Sequence, residues 1–234
     1  MTMFSGLYDL PSRVESESDL WFSMGEPTEG RSIEIRQRPW ELGALLRIVG
    51  ALAPRKIVEV GTFRGGTLLH FMRVVPTGAE FSVVDVMEGD PEHAREDDLP
   101  ELWQKWAEHF GHTLHIYKGD SHDEEIVSGV RSRAPIDFLF IDADHAYDAV
   151  KADYENYGPC VRLGGIIALH DITLPQPVAQ LWEEIQVSGR VTQQLQSPPL
   201  FGVGIGVVYI GSDGFTEESD QGVGPTASGG WRFA

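Results

Sequence analysis

The chain has 234 residues, 41% of them hydrophobic and 23% charged, a balance that fits one folded domain with an appendage and excludes a largely disordered or fibrous chain. Its 18 Lys and Arg face 36 Asp and Glu, a formal charge of −18, so neither nucleic acid nor an anionic membrane surface is an expected partner. Cys160 is the single cysteine, which excludes an intramolecular disulfide and a cysteine-rich zinc cage and suits a reducing, cytoplasmic setting.

Residues 1–33 mix acids, Ser, Gly and Pro with scattered aromatics and read as an N-terminal extension, with Trp21, Phe22 and Met24 as candidates for a lid or a packing surface. Met1 to Arg13 carry no charged segment followed by an apolar one, and no later run approaches the roughly 18 apolar residues of a membrane span, so neither export nor anchoring is expected. From about Ile33 to Leu52, Leu42, Leu45, Leu46, Val49 and Leu52 recur at helical spacing, which predicts an amphipathic helix interrupted near Pro39. Lys56 to Val60 is a short β-branched run that stops at Gly61, and Thr67 to Val75 reads as a helix. The alternation continues with strands at 80–86 and 113–117 and helices at 101–110 and 122–132. Ile136 to Ile141 is apolar enough for a strand buried on both faces. A helix at 146–161, a strand at 165–170, a helix at 178–187 and closing strands at 191–196 and 203–210 complete the pattern. The result is an α/β fold: a Rossmann-like three-layer sandwich with a mostly parallel sheet and one antiparallel closing strand. Residues 34–210 form the domain, and the Gly- and Ser-rich residues 211–234 form a tail.

Ligands of open parallel sheets bind beyond the carboxyl ends of the strands, so each strand's last residues carry the functional signal. These ends read Glu59 to Gly66, Asp85, Gly119 to Ser121, Asp142 to His145, and His170 with Asp171. Gly61 is followed by Gly65 and Gly66, unlike the G-x-G-x-x-G of a dinucleotide site, and Glu59 would repel a pyrophosphate. A nearby carboxylate instead favours a positive centre. Asp85, at the end of the next strand, suits ribose hydroxyls, and together these features point to a nucleoside without phosphates.

The pattern Glu59-x-Gly61-x-x-x-Gly65, Asp85, Gly119 with Asp120, Phe140 to Tyr147 and Leu163 to Asp171 resembles class I S-adenosylmethionine-dependent methyltransferases over residues 33–210. Within them it is most similar to small-molecule O-methyltransferases of the catechol type and of macrolide and sugar pathways. The resemblance implies that Glu59, Gly61, Thr62, Gly65, Asp85, Asp120, Ser121 and Asp142 surround S-adenosylmethionine, with the ribose on Asp85 and the adenine beside Asp120 and Ser121. It also implies a divalent ion, Mg²⁺ or another, on Asp142, His170 and Asp171. His170 departs from the usual acidic pair, because it offers nitrogen where Mg²⁺ prefers oxygen. Adjacent strand residues also face opposite ways, so both ligate only if the chain turns there.

Methyl transfer needs an acceptor oxygen aligned with the sulfonium methyl and relieved of its proton. His145, where catechol-type members carry a lysine base, and Asp142 are the catalytic candidates. A helix cap or an Asp148 partner is the structural alternative for His145, and a metal-free His170 and Asp171 dyad is the alternative to the ion. Arg64, Asp144 and Asp148 fit solvated or helix-start roles. The acidic run from Asp85 to Glu101 fits a solvated loop or attraction of a cationic acceptor. His109, His112 and His115 fit surface positions.

The sequence therefore leads to an O-methyltransferase acting on a hydroxyl of a small metabolite, such as a sugar or polyketide-type product, with metal assistance and in a monomer or homo-oligomer. An N- or C-methyltransferase without metal, a non-catalytic cofactor-binding protein and a nicotinamide-dependent oxidoreductase are the competing classes.

Overall fold

The computed structural model describes residues 35, 37–87, 99–173, 175–196 and 204–211. The predicted extension, the acidic run beyond Met87 and the tail beyond Gly211 lie outside these residues. Seven strands form one sheet: β1 (Lys56–Val60), β2 (Glu80–Asp85), β3 (Thr113–Lys118), β4 (Ile136–Ile141), β5 (Val161–His170), β6 (Val191–Leu195) and β7 (Ile205–Tyr209). Their order is β3-β2-β1-β4-β5-β7-β6. Pairings among β1 to β5 are all parallel, and β7 alone runs against its two neighbours, β5 and β6. The sandwich with one antiparallel strand is thus the observed architecture.

Helices α1 (Pro39–Leu52), α2 (Gly66–Val74) and α3 (Leu99–Phe110) cover one face of the sheet. Helices α4 (Glu124–Arg131), α5 (Tyr147–Tyr157) and α6 (Val178–Val187) cover the other. Alternation along the strands divides the core: Phe138 and Phe140 of β4 pack with α1 and α2, while Leu139 and Ile141 face α5 and α6. Phe71 sits edge-on to both Phe138 and Phe140, with ring centroids 5.0 and 5.5 Å away.

Several predicted bounds shift, among them the strand expected at 165–170, which begins at Val161. Pro39 does not interrupt a helix; it opens α1 at a position whose N–H has no helical partner to lose. The helix predicted to run to residue 161 stops at Tyr157, because Pro159 falls in a single 3-10 turn, Gly158–Cys160, and β5 starts at Val161. Strand order reverses between β1 and β4, so the crevice expected of such a fold opens where β1, β2, β4 and β5 end.

Candidate active site

A cavity of about 740 Å³ opens at this switch point. Its wall starts with the turn after β1. Gly61 takes φ 83°, and a Cβ there would lie 2.1 Å from the carbonyl oxygen of Asp142, so only glycine lets the β1 turn approach the end of β4. The N–H groups of Thr62 and Phe63 each donate to Asp85 Oδ2 at 2.7 Å, and that of Met87 donates to Oδ1 at 2.7 Å. Asp85 therefore organises the glycine turn with most of its acceptor capacity and faces the cavity with the remainder.

Asp120 and Ser121 line the cavity beyond β3. The loop is tied to α5 from behind: the Tyr157 hydroxyl donates to the Ser121 carbonyl, and His122 Nε2 stands 3.3 Å from the buried carboxylate of Asp153. Burial pushes the Asp153 carboxyl up to about 6, and no sequence motif singled that residue out.

Two expected cofactor residues sit off the cavity wall. Gly65, at φ 82°, packs against α3, where a Cβ would lie 2.3 Å from Trp103 Nε1. Its glycine serves helix packing. Glu59 is 1% exposed and lies beneath the wall, with the Thr62 side chain beside its carboxyl. Burial, reinforced by the charge of Asp142, raises its pKa well above the ordinary carboxylate value.

Asp142, His145, His170 and Asp171 converge on the cavity. His170 Nδ1 lies 3.1 Å from Asp142 Oδ1 and 3.5 Å from Asp171 Oδ2. His145 Nε2 lies 3.0 Å from Asp171 Oδ2 and 3.8 Å from Asp142 Oδ1. The condition for His170 and Asp171 to share a site is met, because β5 ends at His170 and Asp171 turns into the left-handed region at φ 60°. The carboxylates of Asp142 and Asp171 raise His145 to about 10. Burial opposes the charge on His170, but Asp142 outweighs it and the ring also rises to about 10. Burial likewise pushes Asp142 and Asp171 up, and the imidazoles overcome it and hold both carboxyls low. Two imidazolium cations and two carboxylates thus balance in a nearly neutral cluster. His145 is consequently protonated at neutral pH in the resting site, not poised to accept a proton as its free imidazole would be.

Asp142, His170 and Asp171 bring one ligand atom each within 4.8 Å of one another. Asp171 Oδ1 and His170 Nε2 are buried without a partner among the described residues. One imidazole nitrogen and two carboxylates fit a divalent transition ion better than Mg²⁺. Gln37, for which the sequence carries no motif, is the principal residue missed: it is buried against Asp142 and Thr67.

The remaining candidates disperse. Asp144 Oδ1 accepts from the Ala146 N–H at 2.8 Å, a turn just ahead of α5. Of the histidines expected at the surface, His109 is exposed, whereas His112 binds the Met72 carbonyl at 2.8 Å and His115 pairs with Glu80 at 3.2 Å, both half-buried. Among the described residues no helix is long and apolar enough to cross a membrane.

Residues 58–172 match a family described as a methyltransferase domain. An uncharacterized protein of Sinorhizobium fredii is 28% identical over 77% of this chain and 19% of its own length. The chain spans about half of another curated relative, an uncharacterized protein of Acanthamoeba polyphaga mimivirus that is 34% identical over 118 residues. Among solved structures, the O-methyltransferase from Bacillus cereus in complex with SAH superposes with a TM-score of 0.54 at 17% identity, covering 87% of this chain and 95% of that one. A TDP-rhamnose 3'-O-methyltransferase of calicheamicin biosynthesis gives a TM-score of 0.55 at 17% identity, covering 72% and 79%.

Proposed function

We propose that the chain, whose residues 58–172 match a methyltransferase-domain family, moves the methyl group of S-adenosylmethionine to a hydroxyl of a small metabolite. The observation that carries this reading is the convergence of Asp142, His145, His170 and Asp171 on a cavity that Gly61, Asp85, Asp120 and Ser121 also line. A nucleoside suits the second set of residues by hydrogen bonding, and a hydroxylated acceptor suits the first. The sugar O-methyltransferase among the structural neighbours favours a sugar-like or related natural-product acceptor. No nucleic-acid or membrane partner belongs to this reading, given the charge of −18.

The chain's own residues have three tasks. The glycine turn, held in shape by Asp85, would hold the cofactor's amino-acid part. Asp142 and Asp171 orient the acceptor hydroxyl through the imidazoles they hold. His145, half exposed at the cavity, takes the hydroxyl proton after releasing its own to solvent. A divalent ion held by Asp142, His170 and Asp171 would lower the acceptor's pKa and anchor its oxygen.

The first test is calorimetric titration with S-adenosylhomocysteine and with NAD, followed by methylation assays on hydroxylated acceptors with Mn²⁺ or with EDTA. Micromolar binding of S-adenosylhomocysteine, none of NAD, and methyl transfer to oxygen are the expected results. Failure to bind either nucleoside overturns the reading. Transfer to nitrogen or carbon that is unaffected by EDTA would keep the cofactor and replace the acceptor.

A further inference from the structure

Gln37 stands ahead of α1, 105 residues from Asp142 in the chain, yet it is only 5% exposed. Its amide nitrogen donates to Asp142 Oδ2, and its amide oxygen accepts from the Thr67 hydroxyl at 2.5 Å. The direction of the amide follows from its partners. An ionised carboxylate only accepts, so the NH₂ must face Asp142, which leaves the oxygen to the hydroxyl. Thr67 lies in the first turn of α2, directly after the glycine turn, and Asp142 follows the last residue of β4. One side chain thus ties the helix beneath the cofactor turn to the acid beside the acceptor site.

The two oxygens of Asp142 consequently have different surroundings. Oδ2 is taken by Gln37, while Oδ1 faces His170 at 3.1 Å and His145 at 3.8 Å. A carboxylate rotates in a broad torsional well, so its own backbone does not fix the angle at which an oxygen faces the imidazoles. Burial alone would be satisfied by an apolar side chain of the same length; an amide bonded at both ends does something more specific. We infer that Gln37 is a positioning residue, which by holding Oδ2 commits Asp142 Oδ1 to the imidazoles and the acceptor site. This role in catalysis rests on the methyl-transfer reading, whereas the positioning itself does not.

Two variants separate positioning from packing. Gln37→Met keeps the length and removes both hydrogen bonds; Gln37→Glu keeps the shape and sets a second negative charge against Asp142. Crystal structures of the ligand-free wild type and of both variants read the orientation of Asp142 directly. The expected result is a turned carboxylate, with the Oδ1 to His170 distance changed by more than about 0.5 Å. Calorimetry should find S-adenosylhomocysteine bound to Gln37→Met within about twofold of wild type. With an acceptor in hand, kcat should fall by about 10- to 100-fold at unchanged KM for S-adenosylmethionine, the scale on which small misplacements act, and further in Gln37→Glu.

An Asp142 carboxylate that keeps its orientation in Gln37→Met overturns the proposal, as does a wild-type kcat. A loss of S-adenosylhomocysteine affinity as large as the loss of kcat would make Gln37 a cofactor contact and overturn it too. Wild-type protein that binds no S-adenosylhomocysteine refutes the methyl-transfer reading instead, and the crystal structures still decide the positioning.

Discussion

Asp171 follows the last residue of β5 at φ 60°, a conformation that costs most L residues roughly 1 kcal/mol or more and that Asp and Asn tolerate best. The turn brings its carboxylate to His145 at 3.0 Å, a hydrogen bond, whereas Asp142 at 3.8 Å makes only an ion pair. Both carboxylates raise His145 to about 10, but the shorter contact should hold the larger share. Asp171→Asn keeps the backbone preference and removes the charge, so the variant should fold normally while the His145 pKa falls toward 6.5. Titration of the imidazole by NMR checks this, and an unmoved pKa would dissolve the pairing. The same raised value gives the pH dependence its sign. The neutral, proton-accepting form of His145 grows as pH rises toward about 10, so methyl transfer without metal should increase through that range. A divalent ion on Asp142 and Asp171 would compete for the carboxylates and shift this limb to lower pH, a difference that pH–rate profiles with Mn²⁺ and with EDTA would read.

The turn from β1 into α2 works as a unit because its two glycines do different jobs. Gly61 admits the end of β4, while Gly65 admits the indole of Trp103 from α3, whose Nε1 donates to the Arg64 carbonyl at 3.3 Å. Gly65→Ala would place a methyl 2.3 Å from that indole at φ 82°. The clash combines overpacking with backbone strain, so about 2 to 4 kcal/mol of destabilisation is expected, measured by urea unfolding. A smaller side chain at position 103 should recover part of it in the double variant, and strict additivity of the two losses would show that the contact is not responsible. Element spacing alone did not separate these jobs. Both glycines lie in one short motif, and only the path of α3 reveals that the second answers to packing.

At the scale of the whole molecule, the cluster that closes the cavity also sets the response of stability to pH. His145 and His170 are raised from 6.5 to about 10, so the folded state holds their protons more tightly than the unfolded chain does. Their contribution is complete below about pH 6.5 and is lost as pH rises through 10, with a slope of at most about 1.4 kcal/mol per unit for the buried His170 and less for the half-exposed His145, whose charge water screens. Urea unfolding of the ligand-free protein at pH 6, 8 and 10 should give falling stability, and His170→Asn should flatten the decline. A stability that rises over this range would contradict the buried ion pairs. Much of this architecture is legible in the chain. The bounds of β1, β4 and α6 coincide with their sequence patterns, because apolar runs and glycine stops are local properties of the backbone. The strand-end acids were likewise visible as residues, since a parallel sheet brings all such ends to one edge. By itself, then, the sequence determined the βα alternation, the single antiparallel closing strand and the set of polar residues along that edge. Only the tertiary structure decided how those residues share protons, that Glu59 and Gly65 stand behind the cavity wall, and that Gln37 reaches Asp142. Burial, ion pairing and contacts across 105 residues depend on distances in space, which no spacing along the chain encodes.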